Sequence, residues 1–207
     1  MLIAGTGKTY LTSKVIDDIR STLENKPHHE GLAYFYCNRN EPERLDPLMV
    51  LRSFVRQLST IANDNHLIQK RLMQFSFEAQ LRCSEPTIEV CKEILLEFIN
   101  IYPKTTLILD ALDECDKHRR GILIETLDYL LDNAQRPVKL FISSRPDGDI
   151  KDKFKSRMNI EIQATDNHGD ISKFVKREIG KHRRWKKMSS ELQTEIIQTL
   201  HNGSDGM

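Results

Sequence analysis

The chain has no apolar run near the roughly 20 residues that a membrane-spanning helix needs. Its N-terminus, Met1-Leu2-Ile3-Ala4-Gly5, lacks the charged segment and apolar stretch of a secretory signal. Charge of one sign is also missing: 31 basic side chains face 30 acidic ones, a net charge of +1. That balance gives no reason to expect nucleic acid or an anionic membrane as a partner. Cysteine is scarce, with Cys37, Cys83, Cys91 and Cys115 scattered without CxxC spacing. This argues against a disulfide framework or a zinc site and for free thiols in a reducing, cytoplasmic setting. No internal repeat and no low-complexity tract interrupts the chain. What remains is a 207-residue chain with 39% hydrophobic and 29% charged residues, enough for a sizeable core. These bounds predict one soluble domain and leave its activity open.

Strand and helix patterns alternate. Lys8 to Glu24 sets Leu11, Val15, Ile16, Ile19 and Leu23 at helical spacing. Leu32 to Cys37 is a short apolar run bounded by Gly31 and Asn38, the profile of a buried strand. Asp46-Pro47 offers a helix cap, with Leu48, Leu51, Phe54, Val55 and Leu58 expected inward. A more polar helix is expected over Leu67 to Leu81, and Pro86 is expected to open another carrying Val90, Ile94, Leu95 and Phe98. Thr105 to Asp110 reads as a strand apolar on both faces that ends in an acid. Arg120 to Asn133 follows as a helix burying Ile122, Leu123, Leu127, Leu130 and Leu131. Val138 to Ser143 gives a third strand, and Asn159 to Ala164 a fourth. Two helices close the chain, one from about Ile171 to Lys181 and one from Ser190, paired with Gln193 in a capping box. The fold class predicted is α/β, a parallel sheet flanked by helices.

The segment Leu2-Ile3-Ala4-Gly5-Thr6-Gly7-Lys8-Thr9 carries most of a phosphate loop, G-x-x-x-x-G-K-[ST]. Gly5 and Gly7 let the backbone curl so that amide hydrogens, including that of Thr6, point at phosphate oxygens. The helix starting at Lys8 turns the positive end of its dipole on the same anion. Lys8 would reach the β- and γ-phosphates and the Thr9 hydroxyl would ligate Mg²⁺. The first glycine of the motif falls on Leu2.

A second motif follows about a hundred residues on. Leu107-Ile108-Leu109-Asp110-Ala111-Leu112-Asp113-Glu114 leads a fully apolar strand into three acids. Asp110 at the strand tip suits the magnesium role, and Asp113 or Glu114 suits the positioning of an attacking water. Ser143-Ser144-Arg145 ends the third strand, at the edge where open α/β sheets bind ligands, so Arg145 is placed to contact a γ-phosphate. The basic run Lys181 to Lys187, with Trp185 inside it, reads as a solvated linker, and His28-His29-Glu30 as a polar loop.

Four segments, Ala4 to Thr9, Ala33 to Cys37, Leu109 to Cys115 and Phe141 to Pro146, resemble the NACHT domain, in the nephrocystin 3-like N-terminal form of fungal NOD-like receptors. The resemblance covers nearly the whole chain. It implies a STAND-class P-loop NTPase: a switch held with ADP, opened by exchange to ATP with Mg²⁺, hydrolysing slowly, and self-associating within a longer receptor. On it, Gly5, Thr6, Gly7, Lys8 and Thr9 match the phosphate loop and Asp110 the magnesium acid. Asp113 and Glu114 match the extra acids, and Arg145 matches the sensor arginine. The expected organisation is a nucleotide-binding core over 1–165 that lacks its first strand, then the start of a helical region over 166–207, cut short. A second reading stays open, a remnant or scaffold that binds nucleotide poorly or not at all. A metabolic kinase of the same fold finds no substrate or lid signature.

Overall fold

A computed structural model describes residues 7–24, 30–61, 68, 70–75, 86–162, 169, 173, 177–181, 185 and 188–203. Two compact units divide the chain, one over Lys8–Ile150 and one over Met1–Gly7 with Lys151–Met207. In the first unit α1 (Lys8–Glu24) precedes β1 (Gly31–Tyr36), a 3-10 turn (Pro42–Arg44) and α2 (Pro47–Ile61). Next come α3 (Ile88–Ile101), β2 (Thr105–Asp110), a second 3-10 turn (Leu112–Glu114), α4 (Arg120–Asn133) and β3 (Val138–Ile142). The short helix α5 (Gly148–Phe154) begins at the end of that unit.

The three strands form a parallel sheet in the order β1-β2-β3, with Tyr36 opposite Asp110 and Leu109 opposite Ile142. β2 is central and every one of its residues is buried. That is why it lacks the alternation of a half-exposed strand. Ile108 packs with Leu32 and Ile16 of α1, and Val15, Ile19, Leu23, Tyr34 and Phe141 close around them. Residues of the other parity, Ala33, Leu107 and Leu109, are as deeply buried, so both faces of the sheet are covered. Helices α2, α3 and α4 pack on one another, and Leu51, Phe54, Leu58, Leu95, Phe98 and Leu127 on them are all buried. Each such side chain contributes about 1.5–3 kcal/mol on leaving water.

Local chemistry sets the ends of the elements. Asp46 Oδ1 accepts the Leu48 N–H at 2.9 Å and caps α2, whose first residue is Pro47, as its sequence predicts. Pro86 does not open α3; Thr87 caps it by accepting the Val90 N–H, and the first helical residue is Ile88. Gly31 is required where β1 meets α2 and β2. A Cβ there would sit 3.0 Å from Thr105 Oγ1, 3.0 Å from Tyr102 Cδ2 and 3.1 Å from Leu58 Cδ2. The Tyr102 hydroxyl donates to the Leu58 carbonyl, and burial pushes its pKa up to about 12. On β1, the Gln57 side chain accepts the Tyr34 N–H at 3.1 Å and donates to the Tyr34 carbonyl at 2.7 Å. This amide occupies backbone groups that another strand would otherwise use.

Some expectations fail. On α1 the inward position is Thr12, fully buried, while Leu11 is 43% exposed. On α4, Ile122 is exposed, and Arg120, Ile124 and Thr126 are buried in its place. The expected fourth strand is not formed over residues 159–162, where Ile160 is exposed; residues 163 and 164 lie outside those described. The helix expected over 67–81 is helical at 68 and 70–75, and the one over 171–181 at 173 and 177–180; their other residues lie outside the described set, except the turn residue Lys181.

The second unit contains α6 (Ser190–Gly203). Its cap is Ser189 rather than Ser190: Ser189 Oγ accepts the Leu192 N–H at 3.3 Å. Gln193 turns back instead to donate to the Trp185 carbonyl at 2.8 Å. No helix among the described residues is long and apolar enough to cross a membrane.

Candidate functional site

A carboxylate at the C-terminal tip of β2 organises the site. Asp110 is 1% exposed, carried there by the apolar strand beneath it. Thr9, in the first turn of α1, donates its hydroxyl to Asp110 Oδ2 at 2.8 Å. One turn on, Thr12 Oγ1 lies 2.6 Å from Asp110 Oδ1 and 3.0 Å from the Lys8 carbonyl, so a single hydroxyl hydrogen is shared between them. Ser143, at the end of β3, donates a third hydroxyl to Asp110 Oδ1. Three hydroxyls from two elements, α1 and the end of β3, thus converge on the two carboxylate oxygens at the tip of β2, at the sheet end where parallel α/β folds place ligands.

Directly before α1, Gly7 has φ +74°, a left-handed conformation open to glycine without steric cost. Gly5 and Thr6 lie outside the described residues. Lys8 opens α1, so the helix that carries Thr9 and Thr12 starts beside the strand-end acid.

Beyond Asp110 the chain turns sharply. Ala111 has φ 55°, the only non-glycine positive φ among the described residues. A left-handed L-residue costs about 1–2 kcal/mol, a strain found more often at functional sites than elsewhere. Ser143 Oγ accepts the Ala111 N–H at 3.0 Å and the Ser143 carbonyl accepts the Leu112 N–H at 3.0 Å, which holds the turn. The 3-10 turn then presents Asp113 and Glu114 to two arginines. Asp113 Oδ1 accepts the Arg145 N–H at 2.9 Å, and Arg145 Nε lies 3.5 Å from Asp113 Oδ2. Arg39 Nη2 sits 3.7 Å from Asp113 and 3.5 Å from Glu114. Arg145 Nη2 reaches Glu114 at 4.0 Å. The predicted residues therefore fall into two adjoining clusters, Thr9 with Asp110 and Asp113 with Glu114 and Arg145, joined through Ala111 and Ser143.

Four contributors were not assigned a role from the sequence. Thr12 is one helical turn from Thr9, and its hydroxyl does not stand out in an apolar periodicity. Ser143 was visible only as the end of a strand. Arg39 follows β1, and its backbone N–H also donates to Glu114 Oε2 at 3.2 Å. Arg120 is 1% exposed, donating to Asp149 Oδ2 at 2.7 Å, Asp147 Oδ2 at 2.7 Å and the Asp113 carbonyl at 3.4 Å. It ties the acidic turn to the loop after β3. Its hydrogen bonds, first with Asp149, hold its own pKa up against burial, and the same bonds hold the Asp147 and Asp149 carboxyls below their usual range. A groove beside β1, lined by Arg20, Leu32, Tyr34, Tyr36, Arg44 and Gln57, includes none of the residues that meet at Asp110.

Together these features define an α/β protein with a parallel sheet flanked by helices and a strand-end carboxylate met by hydroxyls from the first helix and third strand. The family model described as nephrocystin 3, N-terminal, matches residues 2–145, well over half of the 207-residue chain. The chain belongs to that family. No curated protein matches it.

Proposed function

We propose that this chain is a nucleotide-binding switch module of the NACHT type, taking ATP or ADP with Mg²⁺ in the cytoplasm and self-associating within a longer receptor. The observation that carries the reading is the 2.8 Å contact between Thr9 Oγ1 and Asp110, side chains 101 positions apart. A hydroxyl and a carboxylate oxygen form a hard-oxygen donor pair suited to Mg²⁺. Among the described residues no group of three or more His, Cys, Asp or Glu side chains gathers to hold a metal. A phosphate-bound Mg²⁺ needs none, because it keeps waters and phosphate oxygens as its other ligands.

In this reading Thr9 and Asp110 hold the ion, which would neutralise charge on the phosphates. Lys8 and the N–H groups at the start of α1 bind the phosphate oxygens. Thr12 and Ser143 keep the Asp110 carboxylate aimed at Thr9 by their own hydroxyl donation. Asp113 or Glu114 orients a water toward the terminal phosphate, giving slow hydrolysis. Arg145 lies against both acids, so it can exchange that pairing for a phosphate and report its presence.

A second reading is a module that binds nucleotide poorly or not at all. It is favoured by Leu2 in the place of the motif's first glycine. Thermal unfolding with and without nucleotide separates the two, since a ligand that binds only the folded state raises its stability by mass action. At one hundred times the dissociation constant, Mg·ATP or Mg·ADP should add about 2.7 kcal/mol and raise the midpoint by several degrees. An unchanged midpoint at millimolar nucleotide would favour the second reading.

A further inference from the structure

Arg145 is held at both of its backbone groups. Its N–H donates to Asp113 Oδ1 at 2.9 Å, and its carbonyl accepts the Asp147 N–H at 2.8 Å. The two segments joined there, the acidic turn after β2 and the loop after β3, are joined again by Arg120 of α4. Its Nη1 donates to the Asp113 carbonyl at 3.4 Å and its Nη2 to Asp147 Oδ2 at 2.7 Å. Its Nε donates to Asp149 Oδ2 at 2.7 Å, and Nη2 makes a second bond to Asp149 Oδ1. All three guanidinium nitrogens are used, in a forked geometry that a lysine cannot reproduce. The Arg120 side chain is 1% exposed, whereas those of Asp147 and Asp149 are 38% and 43% exposed. A buried ion pair often adds little net stability over an apolar side chain of similar volume. What this one adds is position, because it fixes the loop after β3 against Asp113. The head of Arg145 is held less firmly than its backbone. Its Nε lies 3.5 Å from Asp113 and its Nη2 4.0 Å from Glu114, beyond good hydrogen-bond length.

We propose that Arg120 is a positioning residue for Arg145 and thereby sets how well the chain distinguishes ATP from ADP. The inference rests on the nucleotide reading above, in which Arg145 meets the terminal phosphate. Arg120 acts without touching the nucleotide. Through the Asp147 carboxylate it holds the residue that pins the Arg145 carbonyl. Through the Asp113 carbonyl it holds the acid that pins the Arg145 N–H. With that base fixed, contact with a terminal phosphate costs only the ordering of one side chain. Without Arg120 the loop must be ordered as well. That added cost falls on ATP and not on ADP, which lacks the phosphate concerned.

The test is equilibrium binding of Mg·ATP and Mg·ADP to wild type, Arg145→Ala, Arg120→Met and the Arg145→Ala/Arg120→Met double variant, with urea unfolding showing that each is folded. Arg145→Ala should lower the ratio of ATP to ADP affinity about tenfold or more, the loss of a hydrogen bond between charged groups. Arg120→Met should lower that ratio at least about threefold with ADP affinity kept. It should add nothing in the Arg145→Ala background, since two residues acting through one contact are not additive. Asp147→Ala, at a more exposed position, removes one Arg120 bond and should move the ratio the same way; it carries the test if Arg120→Met fails to fold. An unchanged ratio, an equal loss for both nucleotides, or a full Arg120 effect in the Arg145→Ala background would overturn the proposal and leave nucleotide binding standing. A folded wild type that binds neither nucleotide would overturn the nucleotide reading, and the proposal with it.

Discussion

At Asp110, two oxygens serve three hydroxyls, and the donors differ in what they can lose. Thr12 is fully buried, and valine matches its shape without its hydroxyl. Thr12→Val should therefore destabilise the fold by about 1–2 kcal/mol, a hydrogen bond to a charged group lost with no cavity made. Thr9 and Ser143 still reach the carboxylate and limit the damage. Urea unfolding measures this directly, and a variant as stable as wild type would show that Thr12 contributes packing alone. Magnesium–nucleotide affinity should fall as well, because the carboxylate is then less firmly aimed.

The elements carry a different kind of constraint, in which backbone approach and buried charge decide. Gly31→Ala would place a methyl against Thr105, Tyr102 and Leu58 at contacts of 3.0 to 3.1 Å, where β1, α2 and β2 meet. Overpacking of this kind costs about 1–3 kcal/mol, which an unfolding curve resolves. On α4, the Arg120 bonds hold Asp147 and Asp149 below the ordinary value of 3.8. A carboxyl depressed in the folded state adds stability above its unfolded pKa and loses it as pH falls through the folded value. The stability gap between wild type and Arg120→Met should then be largest near neutral pH and shrink below about pH 4. A gap independent of pH would mean that Arg120 matters only as volume. The elements themselves were largely legible: β2 and α4 have the bounds their patterns predict, because buried apolar runs and helical periodicity are strong signals. Leu11, Ile122 and the absence of a strand over residues 159–162 depart from the sequence pattern because hydropathy marks a residue as apolar without saying that a partner face exists for it. The Asp110 acid was legible from its place at a strand end. Arg120 and Thr12 were not, since their roles come from groups brought near only by the tertiary fold.

At the scale of the whole molecule, one sheet brings two distant motifs together. The first helix and the central strand meet at Thr9 and Asp110, and family membership extends over residues 2–145, a range that contains both. Lys8 opens α1 and is only partly buried, so replacing it tests the proposed nucleotide binding without removing a core residue. The measurement that bears on this most directly is equilibrium binding of Mg·ATP to the wild-type chain and to Lys8→Ala, with urea unfolding confirming that both are folded. The wild type is expected to bind measurably and the variant at least about tenfold more weakly, a loss of about 1.4 kcal/mol or more. Equal affinity in two equally folded proteins would contradict it.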